Sequence, residues 1–139
     1  IGRLDKDSEG LLLLTNQGEL VNQINKSRSE KEKEYIVTVE EDITKHFLRE
    51  MRDGVYLKEL DRTTKPCLVF QEENIPVIQR KRQFHIILTE GLNRQIRRMC
   101  ATLGYTVKRL KRVRIMNLTA DGLKPGEYRE IRKEELGLK

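Results

Sequence analysis

The chain has no tryptophan, three prolines, two cysteines and 5% aromatic residues. Each scarcity narrows the field. Cys67 and Cys100 stand far apart and fit no zinc spacing, and His46 and His85 are equally isolated, so no metal site is expected. The two cysteines are expected to be inert apolar residues, a usage that suits a reducing cytoplasm. No apolar run approaches the roughly 20 residues that a membrane-spanning helix needs, so no membrane partner is expected. There is no internal repeat and no low-complexity linker. At 139 residues the chain reads as one domain with enough length for a core.

One further absence points towards function. Between Gly91 and Ala120 there is no acidic residue, yet Arg94, Arg97, Arg98, Lys108, Arg109, Lys111, Arg112 and Arg114 all fall there. The net charge of +6 is modest in a chain with 36% charged residues. The clustering says more than the sum. Ordinary surfaces mix both signs, whereas a single-sign stretch is the footprint of a polyanionic partner such as nucleic acid.

Periodicity gives an α+β reading. A short helix is expected over residues 18–26 and a strand over Tyr35–Glu40, where Tyr35, Val37 and Val39 alternate with Ile36 and Thr38. Thr44 is expected to cap a helix from Lys45 to Asp53, with Phe47, Leu48 and Met51 inward and Gly54 as its stop. Strands are expected at Val55–Lys58, Lys65–Gln71 and Gln83–Thr89. Glu72–Arg82 reads as a hairpin turn region carrying the solvated triplet Arg80-Lys81-Arg82. Asn93 is expected to cap a third helix through Leu103, stopped by Gly104. Strands over Thr106–Leu118, a last strand at Glu127–Ile131 and a helical turn over residues 132–136 complete the reading.

The segment Gly2-Arg3-Leu4-Asp5-Lys6-Asp7-Ser8-Glu9-Gly10, running into Leu11-Leu12-Leu13-Leu14-Thr15, sets acidic side chains against an apolar run expected to be buried. A carboxylate at such an edge is a candidate active-site acid. Three rival readings bear on the same residues. Asp5, Asp7 and Glu9 at alternate positions before Gly10 imitate half of a calcium loop, but its twelfth position is Asn16 rather than Glu. A nuclease using the three carboxylates would need Mg²⁺. Ordinary solvated turn residues are the third.

The segment from Gly2 to Gly18 resembles the signature of the RsuA-type pseudouridine synthases, the ribosomal RNA branch of that superfamily. Lys33-Glu34-Tyr35-Ile36-Val37, Glu90-Gly91-Leu92-Asn93-Arg94-Gln95-Ile96-Arg97-Arg98-Met99, Leu110-x-Arg112-x-x-Ile115 and Pro125-Gly126-Glu127-Tyr128-Arg129 fall in the same order. The wording is most similar to the branch's large-subunit (23S) synthase acting near the peptidyl-transferase centre. The resemblance implies the pseudouridine synthase fold, a mostly antiparallel mixed sheet with flanking helices and a cleft. Residues 1–139 are then expected to be a catalytic-domain fragment, preceded by an RNA-binding module and an opening strand, as the initial Ile1 in place of Met also suggests.

The same resemblance assigns roles. Asp5 is the expected catalytic carboxylate, Arg97 its pairing guanidinium, and Tyr35 the aromatic that stacks on the target base. Arg3, Arg94, Arg98 and Arg112 are expected phosphate or ribose contacts, with Leu12 and Ile96 in the apolar wall beside the uracil. The expected reaction turns a specific uridine of ribosomal RNA, 23S above others, into pseudouridine. It needs neither cofactor nor metal. Expected partners are ribosomal RNA and, as a second candidate, transfer RNA; the expected state is a cytoplasmic monomer. The alternative is a non-catalytic fragment that binds ribosomal RNA in ribosome assembly.

Overall fold

The computed structural model describes residues 4–15, 32–119 and 121–131. Arg3, the helix expected over 18–26 and the helical turn expected over 132–136 lie outside the described residues. In chain order the elements are β1 (Glu9–Gly10), β2 (Lys33–Val39), α1 (Lys45–Asp53), β3 (Tyr56–Leu57), β4 (Arg62–Thr63) and β5 (Leu68–Phe70), then α2 (Val77–Arg80), β6 (Gln83–Leu88), α3 (Gln95–Thr102), β7 (Val107–Ile115) and β8 (Leu118–Thr119).

The main sheet runs β1-β7-β2-β6-β5, with β8 hairpinned onto β7. Among the described residues only the β1–β7 pair is parallel; every other pairing is antiparallel. The expected α+β class and mixed, mostly antiparallel sheet are therefore observed. Alternation along the strands explains the core. Val37 and Val39 of β2, Phe84, Ile86 and Leu88 of β6, and Leu110 of β7 meet Phe47 and Met51 of α1 and Ile96, Met99 and Cys100 of α3. Each large side chain so buried contributes about 1.5–3 kcal/mol relative to exposure.

Helix α1 follows its sequence closely. Thr44 is extended and its hydroxyl accepts from the Phe47 amide at 3.0 Å, while the Gly54 amide closes the far end on the Glu50 carbonyl. Phe47 then packs edge-on against Phe84 and tilted against Tyr105.

Three expectations fail, each for a local reason. The leucine run is not a buried strand or helix segment. Pairing with β7 involves Glu9 and Gly10, and beyond them only Leu13 is buried, Leu14 being 84% exposed. Glu72–Arg82 does lie in the connection of the antiparallel hairpin β5–β6, as expected; within it Pro76 leads into the single turn α2, where the Arg80 and Lys81 amides bond back to Pro76 and Val77. Glu127–Ile131 forms no strand. A turn closes there instead, with the Glu127 carboxylate accepting from the Lys124 amide at 2.6 Å, and Ile131 packs on the small cluster of Leu13, Ile115 and Leu118. Asn93 does not cap α3. That position belongs to Arg94, held at φ 49°, while the Asn93 side-chain and backbone oxygens accept from Arg98.

Candidate active site

Three segments build a cleft of about 300 Å³ against the front of the sheet. The opening turn supplies Leu4, Asp5 and Ser8, β2 supplies Lys33 and Tyr35, and the loop into α3 supplies Glu90, Gly91, Leu92, Asn93, Gln95 and Ile96. The size falls at the lower end of the ~300–1,000 Å³ typical of small-molecule clefts.

The turn is closed by the Ser8 amide donating to the Asp5 carbonyl at 2.9 Å. It is anchored by β1, and here glycine is obligatory. Gly10 has φ 120°, and a Cβ on it would stand 2.1 Å from the Arg112 carbonyl oxygen. The Leu11 amide donates to that same oxygen, and Arg112 Nε donates back to the Leu11 carbonyl at 2.8 Å. Asp5 is thus mounted on a backbone that lies against β7.

The turn also carries Asp7 to the start of α3. Arg94 forks onto the Asp7 carboxylate with two bonds of 3.1 Å, which holds its pKa below the ordinary 3.8. Arg97 donates to the Asp7 carbonyl at 2.9 Å and the Ser8 hydroxyl at 3.3 Å, with its Nε 3.5 Å from the Asp7 carboxylate. This corrects the expected pairing of Arg97 with Asp5. Among the described residues the guanidinium that reaches Asp5 within 4.0 Å is that of Arg94, because the turn swings Asp7 rather than Asp5 onto the helix start. Arg97 braces the loop; Asp5 faces the cleft with its side chain 29% exposed.

Tyr35 lines the cleft directly opposite Arg112 in the β2–β7 register. Burial pushes its hydroxyl up from the ordinary 10.0, against the pull of the Arg112 guanidinium that hydrogen-bonds it. Arg112 itself is 1% exposed. Expected to contact phosphate or ribose, it is enclosed at the front of the sheet rather than set on the open surface, and the reason is a bulge. From Tyr35 to Glu34 the β2 chain moves one residue while β7 moves two, from Arg112 to Arg114. Such an insertion re-aims side chains. Arg112 stays at the front with Tyr35, and Arg114 goes to the back, where Glu34 and Glu32 hold it at 3.1 and 3.2 Å. The back of the sheet also pairs Glu34 with His85, whose ring stacks on Phe70.

Among the remaining expected residues, Ile96 is buried and lines the cleft. Leu12 does not line it and is 46% exposed, because the chain after Gly10 leaves strand geometry. Arg98 bonds to Asn93 and lies 3.9 Å from Glu59. With Arg94, Arg97 and Glu59 it borders an open groove of about 360 Å³ on the outer side of α3. The three opening carboxylates do not converge. Asp7 belongs to Arg94, and Glu9 is clasped by Arg109, which lowers its pKa. Among the described residues no group of three His, Cys, Asp or Glu side chains is placed to hold a metal ion. Cys67 and Cys100 are pushed up to about 11 and about 12, mainly by burial. No helix among the described residues is long and apolar enough to cross a membrane.

Sequence reasoning missed Lys33, Glu90 and Gln95. Lys33 carried a signal, since it stands two residues before Tyr35 and so shares its strand face. Gln95 carried another, as a polar residue one helical turn before Met99 on the core face. It is 4% exposed, donates to Glu90 at 2.9 Å and accepts from the Leu92 amide at 3.3 Å, which fixes the loop at the cleft edge.

A family model described as RNA pseudouridylate synthase matches residues 1–102. The chain belongs to the RNA pseudouridylate synthase family. It is 50% identical over 136 residues to the dual-specificity RNA pseudouridine synthase RluF of Escherichia coli (strain K12), covering 98% of this chain and 44% of that protein. It is 40% identical over 141 residues to ribosomal large subunit pseudouridine synthase E of Vibrio vulnificus (strain CMCP6), covering 94% of this chain and 59% of that protein. A solved crystal structure of pseudouridylate synthase superposes with a TM-score of 0.85 at 29% identity, over 98% of this chain and 56% of the other. The fold of this family member is therefore the pseudouridine synthase fold. The chain spans about 44% of the length of its RluF relatives.

These relatives correct the expected branch. The homology points to RluF and not to the RsuA type.

Proposed function

We propose that this chain isomerises uridine to pseudouridine in RNA, with residues 1–139 carrying the catalytic groups. The observation that carries the reading is the cleft that opens Asp5 and Tyr35 to one another in a member of this family. The RluF relative's name speaks of dual specificity and the Vibrio relative's of the large ribosomal subunit. The proposed substrates are accordingly 23S ribosomal RNA and transfer RNA, which would set the reaction in the cytoplasm.

The uridine leaves its helix and enters the cleft with its face on Tyr35, a stacking contact worth ~1–3 kcal/mol in single-strand binding. Asp5 then forms a bond to C1′ as N1 departs, or removes the C2′ proton to give a glycal. After the uracil turns, C5 bonds to C1′ as the C1′–oxygen bond to Asp5 breaks or, on the glycal route, as Asp5 returns its proton to C2′; the C5 proton is then lost to the medium while N1 gains one. The reaction is an isomerisation and consumes no group donor. Arg97, through Asp7 and Ser8, holds the turn that aims Asp5, and Arg94 supplies the adjacent positive charge. Arg98 and the outer groove are suited to the flanking phosphates.

Asp5→Asn removes one charge and little volume. It should abolish tritium release from [5-³H]uridine-labelled 23S transcript, a loss of at least about 10³-fold, with RNA affinity retained. Full turnover by Asp5→Asn would remove Asp5 from the chemistry. Activity abolished by EDTA would favour the metal-dependent nuclease reading instead.

A further inference from the structure

Lys33 and Tyr35 stand two residues apart on β2 and both line the cleft. Glu34, between them, faces the back and is committed to His85 and Arg114. The Lys33 amine ends beside Gly91, 3.9 Å from where a Cβ of that residue would stand. Its side chain is half-buried, and among the described residues no carboxylate lies within ion-pair distance of it. The other carboxylate lining the cleft, Glu90, is taken up by Gln95 and the Lys65 amide. The neighbours of Lys33 in the sheet are Leu88 and Ile115, both apolar. A second cation, Arg112, lies close enough that it and burial together lower the Lys33 pKa from 10.5. Removing an ammonium from water beside another cation, without a counter-ion, is costly. A site that does this is prepared for an anion that is not yet there.

The reaction supplies one. When C1′–N1 breaks, its electron pair goes to N1 and spreads over O2 and O4, leaving uracil as a monoanion. C1′ meanwhile bonds to an Asp5 oxygen, or Asp5 takes the C2′ proton. The negative charge survives until C5 joins C1′. We infer that Lys33 is a catalytic residue whose ammonium stabilises the detached uracil anion within the cleft, donating a hydrogen bond to a carbonyl oxygen without transferring its proton. Arg112, one layer behind, reinforces the field and holds Tyr35. Charge placed in advance where charge develops is the most effective form of electrostatic catalysis. The inference rests on the proposed isomerase activity.

The test uses full-length protein, unmodified [5-³H]uridine-labelled 23S transcript, enzyme in excess, and RNA affinity measured separately. Lys33→Met should lower the saturating single-turnover rate about 100-fold while RNA affinity changes less than about threefold. Lys33→Gln provides the same comparison should the Met variant melt at a lower temperature. The alkaline limb discriminates further. Asp5, Glu90 and Tyr35 line the same cleft beyond ion-pair distance of this amine and Arg112 acts on it from the sheet, and its lowered pKa means its charge is lost as pH rises through a value below 10.5. The wild-type rate should fall there. Lys33→Arg, which keeps its charge, should recover most of the rate and move the limb to higher pH. Weaker RNA binding with an unchanged saturating rate would make Lys33 a phosphate contact and overturn the inference. So would a full rate in Lys33→Met, or an unmoved alkaline limb in Lys33→Arg. Because Asp5→Asn is run beside them, failure of the isomerase reading is seen separately, as turnover that does not need Asp5.

Discussion

Helices α1 and α3 begin in opposite ways. Helix α1 closes its own end, with the Thr44 hydroxyl on the Phe47 amide three residues later. Helix α3 has no side-chain cap; Arg94 stands there in the left-handed region, where a non-glycine residue is strained. Arg97 and Arg98 follow in the first turn and a half, where the helix dipole disfavours positive charge. What holds this end is distant in sequence. Arg94 and Arg97 reach Asp7 and Ser8, 87 to 90 residues away. The helix that obeys local rules supports the core, and the helix that breaks them carries the edge of the cleft. A violation of local preference marks the place where tertiary contact, and with it function, has taken over.

The comparison can be broken from either side. Phe47→Ala in α1 should give the largest effect on stability, about 3–5 kcal/mol, because it empties a site packed by Phe84 and Tyr105. Denaturant unfolding measures the loss, and turnover per folded molecule should be unchanged. Arg97→Gln in α3 should invert that pattern. Unfolding should shift little, while the saturating turnover rate drops about 100-fold because the turn bearing Asp5 is no longer braced. Equal effects of the two variants on turnover would erase the distinction between the helices. Thr44→Ala should cost about 1 kcal/mol of stability, read by the same unfolding experiment, and leave turnover untouched.

The same contrast explains what could be read in advance. Everything that makes α1 lies within Thr44–Gly54: a capping hydroxyl, apolar residues at helical spacing and a glycine stop. Both of its ends were legible. The face of Tyr35 was legible for a similar reason, since strand period fixes which neighbours it shares. The cap of α3 was not, because the choice between Asn93 and Arg94 depends on Asp7. Nor was the burial of Arg112. Strict alternation would put Arg112 and Arg114 on one face, and the bulge opposite Glu34 and Tyr35 divides them. A cluster of basic residues states that a chain is cationic, but only the register says which members meet solvent. Lys108 is exposed, Arg109 is clasped by Glu9, and Arg112 is enclosed.

The smallest expected effect concerns the clasp between the two regions of chain that meet at α3. The Asp7 carboxylate is exposed, so its interaction with Arg94 is screened by solvent and contributes little to stability at neutral pH. Its sign is nevertheless defined. The pKa is lowered in the folded state, chiefly by the Arg94 hydrogen bonds, so the contribution is fully present above the ordinary value of 3.8. It is lost as pH falls through the lower, folded value. Asp7→Asn keeps an acceptor for Arg94 but removes the titration. Melting temperatures of the two proteins should therefore lie close together when both carry a neutral side chain in strong acid. They should separate slightly, with the wild type higher, as pH rises past 4. The carbonyl of residue 7 still receives Arg97 in the variant, so turnover should fall only mildly. A separation that grows on acidification would place the stabilising charge elsewhere, and a dead Asp7→Asn enzyme would mean that the clasp, rather than the cleft carboxylate Asp5, is where the chemistry depends on charge.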